Sequence, residues 1–464
     1  MTLLAMACRP AARPSYQITL LSLSPPRFAV RAAVTPTDDT LRMAQSRSCD
    51  VAAICEAGWP ALIEDLRVAG AGGRPLTATA AGSAGWVVRG AAGSLMLLEY
   101  VVDYSALAGQ GWPAPRETAY LADSMLYTVG RPFFVGRSAD DTVLVEFALP
   151  AGMSVHAPWQ PERSMGEFRV AGFEAATENG IVFARRPLPR ASAGDLAVDV
   201  ALYGPWQDRR DSVARLIGAH LATFTKLFES DAPGRYLATF LEADDFGGEA
   251  FLDSYAVSAH PDSGSARWGR IIGHELFHYW NGHRIRGADY IASQWFQEGI
   301  TEYYAILSMV RNGFISPGGA LERLSQHLRA QRRFEGSLTA SGGRKNAAFY
   351  GTATLVALLL DITIRDRSGG RRSLDDLMHA MWDRFGKDRR PYTQADVVAL
   401  AGEMAGTDLR PFFAAYVEGT AALPLDTTLG RAGLRVTRDA ITIDPSAPAD
   451  QRAIWNAVIL ASSP

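Results

Sequence analysis

The stretch "GHELFHYWNGHRIRGADYIASQWFQEGITEYY", Gly273 to Tyr304, decides how the chain is read. His274 and His278 stand four residues apart with Glu275 after the first, and Glu298 follows twenty residues beyond His278. On a helix, residues four apart share a face, so two imidazoles can converge on one point. A catalytic Zn²⁺ takes three protein ligands in a tetrahedral set and keeps one position open. No third residue of the same helix closes that set comfortably. Glu298, on the next predicted helix, is the candidate third ligand. Glu275 falls beside the metal, where a carboxylate can take a proton from water. His283, five residues past His278, lies off the shared face and reads as a loop histidine rather than a rival ligand. Glu302, one turn beyond Glu298, either accepts a hydrogen bond from a ligand imidazole or is a solvated or ion-paired carboxylate. His156, His220, His260, His327 and His379 have no sequence neighbours that mark a site and read as structural or surface residues.

The bulk composition frames this stretch. At 464 residues the chain is too long for one typical core, so two or three domains are expected. An apolar fraction of 48% and a charged fraction of 20% are ordinary for a globular protein, and a formal net charge of −3 leaves no electrostatic footprint for nucleic acid. No run of eighteen apolar residues occurs, so no transmembrane segment is expected. Cys8, Cys49 and Cys55 sit near the N-terminus, far from the histidines, and make neither a zinc ribbon nor a Cys-x-x-Cys pair. Cys49 and Cys55 can pair if the protein is exported, and two reduced thiols fit equally well. "MTLLAMAC" resembles the tail of a lipoprotein signal but lacks a basic n-region. Residues 1–15 therefore read as an unstructured segment or a signal remnant. Localisation stays open between an exported (periplasmic or lipoprotein) and a cytoplasmic protein.

Residues 16–200 read as short strands broken by Gly and Pro, such as "YQITLLSL", "SLMLLEYVVDY", "TVLVEFALP" and "IVFARRPL". "CEAGWPALIEDLRVAG" within this region has no clear period. From Pro205 onward the character shifts. "DRRDSVARLIGAHLATFTKLFES" has apolar residues at helical spacing and an Asp as the expected cap. Two strands, "RYLATFLEA" and "LDSYAVSAH", flank the turn "FGGEAF", and helices dominate after Arg267. The last forty residues read as short strands. The expected fold class is α+β: an N-terminal β-rich domain (16–200), a mostly helical catalytic domain (201–425) and a short C-terminal cap (426–464).

The residues His274-Glu275-x-x-His278-x-Trp280-Asn281, Arg284-Ile285-Arg286 and Trp295-Phe296-x-Glu298-Gly299-x-Thr301 resemble the glycyl aminopeptidase family of gluzincin metallopeptidases, distant relatives of thermolysin. "YGTATLVALLLDITIR", "SLDDLMHAMWDRFG" and "DLRPFFAAYVEGTAALPL" resemble the family's later helices. The resemblance spans about Ala201 to Leu425. It implies a thermolysin-like catalytic domain holding one catalytic zinc ion on His274, His278 and Glu298. It further implies Glu275 as general base and Tyr350 as the phenol that helps hold the tetrahedral oxyanion.

Four departures stand out. The family's Gly-Gly-Leu-Glu-His segment, whose glutamate recognises the free amine of the substrate, appears as Gly247-Gly248-Glu249-Ala250-Phe251, with Ser254 in its expected place. Glu249 is displaced by one position. On a strand that turns a side chain to the other face unless a bulge at the glycines restores it. The loop between His278 and Glu298 is shorter than the family's, Thr352 replaces the lysine of Tyr-x-Lys-Gly, and the PDZ domain that often follows is missing before Pro464.

The expected activity is hydrolysis of peptides by an aminopeptidase favouring small N-terminal residues, with Gly247, Gly248 and Glu249 binding substrate and the strand "LDSYAVSAH" offered as an edge to an extended peptide. The alternatives are a zinc endopeptidase, or a catalytically weakened peptide-binding protein that keeps zinc for structure. A peptide is the expected partner. Oligomeric state is not set by the sequence.

Overall fold

The computed structural model describes residues 15–45, 52–137, 142–163, 166–193, 196–230, 234–243, 245–341 and 346–460. The expectations for residues 1–14 and for a Cys49–Cys55 pair lie outside the described residues and side chains. The chain divides into two compact units. One comprises 1–190, 197–208 and 234–258, and the other 191–196, 209–233 and 259–464.

The first unit is built from alternating strands. In β2 (Pro26–Val34), Phe28, Val30, Ala32 and Val34 are buried while the residues between them are less so, the period of a sheet with one face on a core. It pairs with β1 (Ser15–Leu23), and β3 (Ile63–Gly70), β4 (Met96–Asp103) and β6 (Val143–Ala148) join them. The centre of this eight-stranded sheet runs β6-β1-β2-β4-β3. A second sheet contains β5 (Met125–Val129) paired antiparallel with β7 (Gly180–Ala184). Aromatic rings knit the core: Phe28 meets Phe133 edge-on at 5.0 Å, and Phe147 meets Phe183 at 5.5 Å. "CEAGWPALIEDLRVAG" resolves into a short helix (Ala52–Ala57), a turn (Trp59–Leu62) and β3. Three states in one short stretch explain its lack of a single period.

The same unit holds β8 (Leu196–Leu202), β9 (Arg235–Leu241), β10 (Gly247–Ala250) and β11 (Ser254–Ser258) in the order β8-β9-β11-β10. The first two pairings are parallel and the last antiparallel. Two expectations are corrected here. "LDSYAVSAH" is not an edge, because β11 lies between β9 and β10 and the strand beyond it is "GGEA". Nor is there a bulge at the glycines: Gly247, Gly248, Glu249 and Ala250 face Ser258, Val257, Ala256 and Tyr255 without a register shift. Glu249 therefore shares a face with Ala256, and Ala250 shares the opposite face with Tyr255.

The second unit is helical. In α1 (Arg210–Phe228) the buried residues Val213, Leu216, Ile217, His220, Leu221 and Phe224 follow the expected spacing. The expected Asp cap is absent. Arg209 stands at the N-cap without a side-chain cap bond, and Asp211 falls in the first turn, where its charge suits the helix dipole. Next come α2 (Ser265–Phe277), α3 (Tyr290–Gln294), a π-helical stretch (Trp295–Ile300) and α4 (Thr301–Arg311). They are followed by α5 (Pro317–Gln331), α6 (Ala347–Ser368), α7 (Leu374–Met381) and α8 (Gln394–Ala405).

By length and composition alone α6 could cross a membrane, but 83% of its apolar window is buried, as in a core helix. The C-terminal segment departs from the all-strand expectation. A hairpin of β12 (Leu434–Val436) and β13 (Ile441–Ile443) is followed by α9 (Ala449–Ile459). Trp455, Val458 and Ile459 are the buried face of that helix, and Arg311 donates to the Val458 carbonyl at 3.1 Å. A β-rich N-terminal region followed by a mostly helical region is the α+β class expected.

Candidate metal centre

The helix α2 carries His274, and His278 follows at its C-terminal end with the backbone still helical (φ −61°, ψ −19°). Trp268, Ile271, Ile272, Leu276 and Phe277 bury the helix among its neighbours. This packing fixes the direction in which the two imidazoles project. The π-helical stretch brings Glu298 to the same point. Gly299 beside it is pressed against α6: a Cβ there would lie 2.6 Å from the Ala353 carbonyl carbon. Only glycine allows that approach.

Three ligand atoms converge. His274 Nε2 lies 3.2 Å from His278 Nε2, and Glu298 Oε2 is 3.4 Å from the first and 3.5 Å from the second. Tetrahedral zinc with bonds of about 2.0–2.1 Å holds its ligand atoms ~3.3 Å apart. The triad has the dimensions of that coordination shell and could hold such an ion.

Each imidazole is held by its other nitrogen. His274 Nδ1 bonds Glu302 Oε2 at 3.0 Å, and His278 Nδ1 bonds the Asn281 carbonyl at 2.9 Å. A proton at Nδ1 in each case leaves Nε2 as the lone-pair ligand. Glu302 is itself fastened, by Arg270 and by His327 Nε2 at 3.0 Å. Tyr350 donates its hydroxyl to Glu298 Oε2 at 2.8 Å, so the phenol stands at the ligand set. Glu275 is buried, at 5% exposure, beside His274.

The electrostatics favour a cation at this point. Burial works against charge on His274, but bonding to Glu298 and Glu302 and the field of Glu275 push it up to about 10. Burial likewise works against the Glu298 carboxylate, yet the two imidazoles hold it well below the usual range. Glu302 is held there by Arg270, His274 and His327.

Among the site residues expected from sequence, His274, Glu275, His278, Glu298, Glu302 and Tyr350 lie together in the second unit. Gly247, Gly248 and Glu249 belong to the first. His283 stays outside the triad, as expected of a loop histidine. His327, read as structural or surface, instead bonds the carboxylate that holds His274. No local signal marks it, since it lies on a separate helix 25 residues beyond Glu302. Arg270 did carry one: it sits four residues before His274, on the same helical face.

The comparisons support a metallopeptidase. Residues 268–349 match the model of the M61 glycyl aminopeptidase family, the family that the sequence resembles. The fold is shared with an aminopeptidase N family protein of Idiomarina loihiensis (TM-score 0.75, 17% identity), over 91% of this chain and 79% of that one. An M1 zinc metallopeptidase of Deinococcus radiodurans is similar over 89% of this chain and 94% of its own (TM-score 0.57, 15% identity). A variant of that enzyme has been solved with the substrate Tyr-Ser-Ala. No curated protein sequence matches the chain.

Proposed function

We propose that the protein is a zinc-dependent aminopeptidase. The observation that carries the zinc reading is the 3.2, 3.4 and 3.5 Å triangle of His274, His278 and Glu298 ligand atoms. When bound, zinc supplies a Lewis acid for the scissile carbonyl and an acidified water. Glu275 would take a proton from the attacking water and return it to the departing amine nitrogen. Tyr350, whose O–H now points to Glu298, donates to the oxygen that gains negative charge as the carbonyl is attacked.

The comparisons favour action at a free N-terminus. Glu117 and Glu249 add a chemical argument within the first unit. Both are buried, at 5% and 8% exposure. Both lie in the field of Arg131, whose guanidinium already holds Glu178 in a forked pair (2.6 and 3.2 Å). Arg116 nearby is engaged by Asp245. A carboxylate is the group that would pair with a substrate's ammonium. A preference for small N-terminal residues is the family's habit and part of the same proposal.

The unshifted register of β10 favours a second reading, endopeptidase action, because Ala250 takes the position where the family has its amine-binding glutamate. Cleavage of matched peptides with free and N-acetylated amines separates the two. An aminopeptidase loses turnover on the acetylated set. Equal rates on both sets assign the endopeptidase reading, and no zinc-dependent cleavage of either overturns the function.

A further inference from the structure

We infer that Asn281 is a positioning residue that ties the two halves of the metal site together, a role that rests on the zinc reading above. The half formed by α2 supplies His274 and His278, and the half formed by the π-helical stretch supplies Glu298. Asn281 is fully buried and touches both. Its main-chain carbonyl accepts from His278 Nδ1 at 2.9 Å. Its side-chain Nδ2 donates to the carbonyls of Phe296 (3.0 Å) and Gln297 (3.2 Å) and to Thr301 Oγ1 (3.1 Å).

Those acceptors bracket Glu298. A π turn breaks the regular i→i+4 pairing of an α-helix, and such turns sit preferentially at functional sites. Here the two consecutive carbonyls just before Glu298 take their N–H from Asn281. The opposite flank is held by Gly299 against Ala353. The turn is therefore clamped on both sides of the ligand.

The neighbours of Asn281 are built for the same purpose. Trp280 stacks on Phe228 at 5.3 Å with an interplanar angle of 11°, and its indole N–H donates to Ser230 at 2.8 Å. Gly282 has φ +124°, and a Cβ there would come within 3.2 Å of His278 Nδ1. The chain can fold back beneath the imidazole only with glycine at that position.

The amide is used for its N–H groups. Oδ1 is buried without a hydrogen-bond partner among the described residues, whereas Nδ2 faces three acceptors. Asn281→Asp keeps the shape, removes both donors and sets a carboxylate against three oxygens.

The test compares zinc-loaded wild type, Asn281→Asp and Asn281→Ser for release of zinc to a chromogenic chelator, and for the visible spectrum after cobalt substitution. Outer-shell partners of metal ligands are worth roughly 10–100-fold in metal affinity. Asn281→Asp is expected to release zinc at least tenfold faster and to shift the cobalt bands. Asn281→Ser, neutral and still a donor, is expected to lie between the two. Circular dichroism of the metal-free proteins shows which variants fold, and the serine variant carries the test if the aspartate variant does not. Wild-type release and an unchanged cobalt spectrum in a folded variant overturn the role of Asn281. A wild-type protein that takes up no zinc overturns the metal reading itself, and Asn281 with it.

Discussion

Glu275, Glu298 and Glu302 are three glutamates of one site with different surroundings, and those surroundings separate their tasks. Glu298 faces two imidazole Nε2 atoms and a phenol. Glu302 is occupied by His274, His327 and Arg270. Glu275 is outside the converging triad. Glu275→Gln is therefore expected to keep stoichiometric zinc and to lose roughly 10²–10⁴-fold in peptide hydrolysis, the usual worth of a general base. Metal analysis beside steady-state rates checks this, and unaltered turnover would contradict the assignment. Much of this scale was legible in the sequence, because His274, Glu275, His278 and Glu298 belong to short, periodic patterns. His327 and the amide of Asn281 were not. Their work consists of contacts with Glu302 and with the carbonyls of Phe296 and Gln297, which only the packing of separate helices creates.

At the scale of elements, the site depends on how α1 and α4 hold α2. Gly273, just before the first ligand, lies against the imidazole of His220 on α1; a Cβ there would meet the ring at 2.7 Å. His220 Nδ1 bonds Ser308 Oγ on α4 at 2.7 Å, and its Nε2 bonds the Gly269 carbonyl on α2 at 3.0 Å. One buried histidine thus joins three helices. Burial pushes it down to about 4, with the Gly269 bond opposing weakly.

The unfolded chain takes up the proton near pH 6.5, well before the folded protein does. The stability of neutral His220 is therefore complete above pH 6.5, declines as pH falls and is spent near pH 4, a span of about 3 kcal/mol. His220→Gln keeps hydrogen-bonding capacity but does not titrate. Melting of the metal-free variant is expected to fall less between pH 7 and 5 than melting of the metal-free wild type; equal losses would contradict this. The sequence showed α1 by its period but not the histidine's role, since a buried histidine at helical spacing looks like any other core position.

At the scale of the whole molecule, alternation in the first unit and helical spacing in the second were enough to expect an α+β chain with its metal centre on the helical side. Readings failed where local pattern underdetermines pairing. The strand "LDSYAVSAH" became internal because β10 adds beyond it, a matter of which strand returns and not of its own residues. Trp455, Val458 and Ile459 had helical spacing that the short preceding strands obscured. The site, by contrast, brings together groups from α2, the π-helical stretch, α4, α5 and α6, and the proposal is that one zinc ion joins its ligands. The most direct test is the metal content of the purified protein against that of Glu298→Ala, after both have been equilibrated with a zinc buffer. The account predicts one zinc per wild-type chain and substantially less than one in the variant. Equal zinc in both, or none in the wild type, would contradict it.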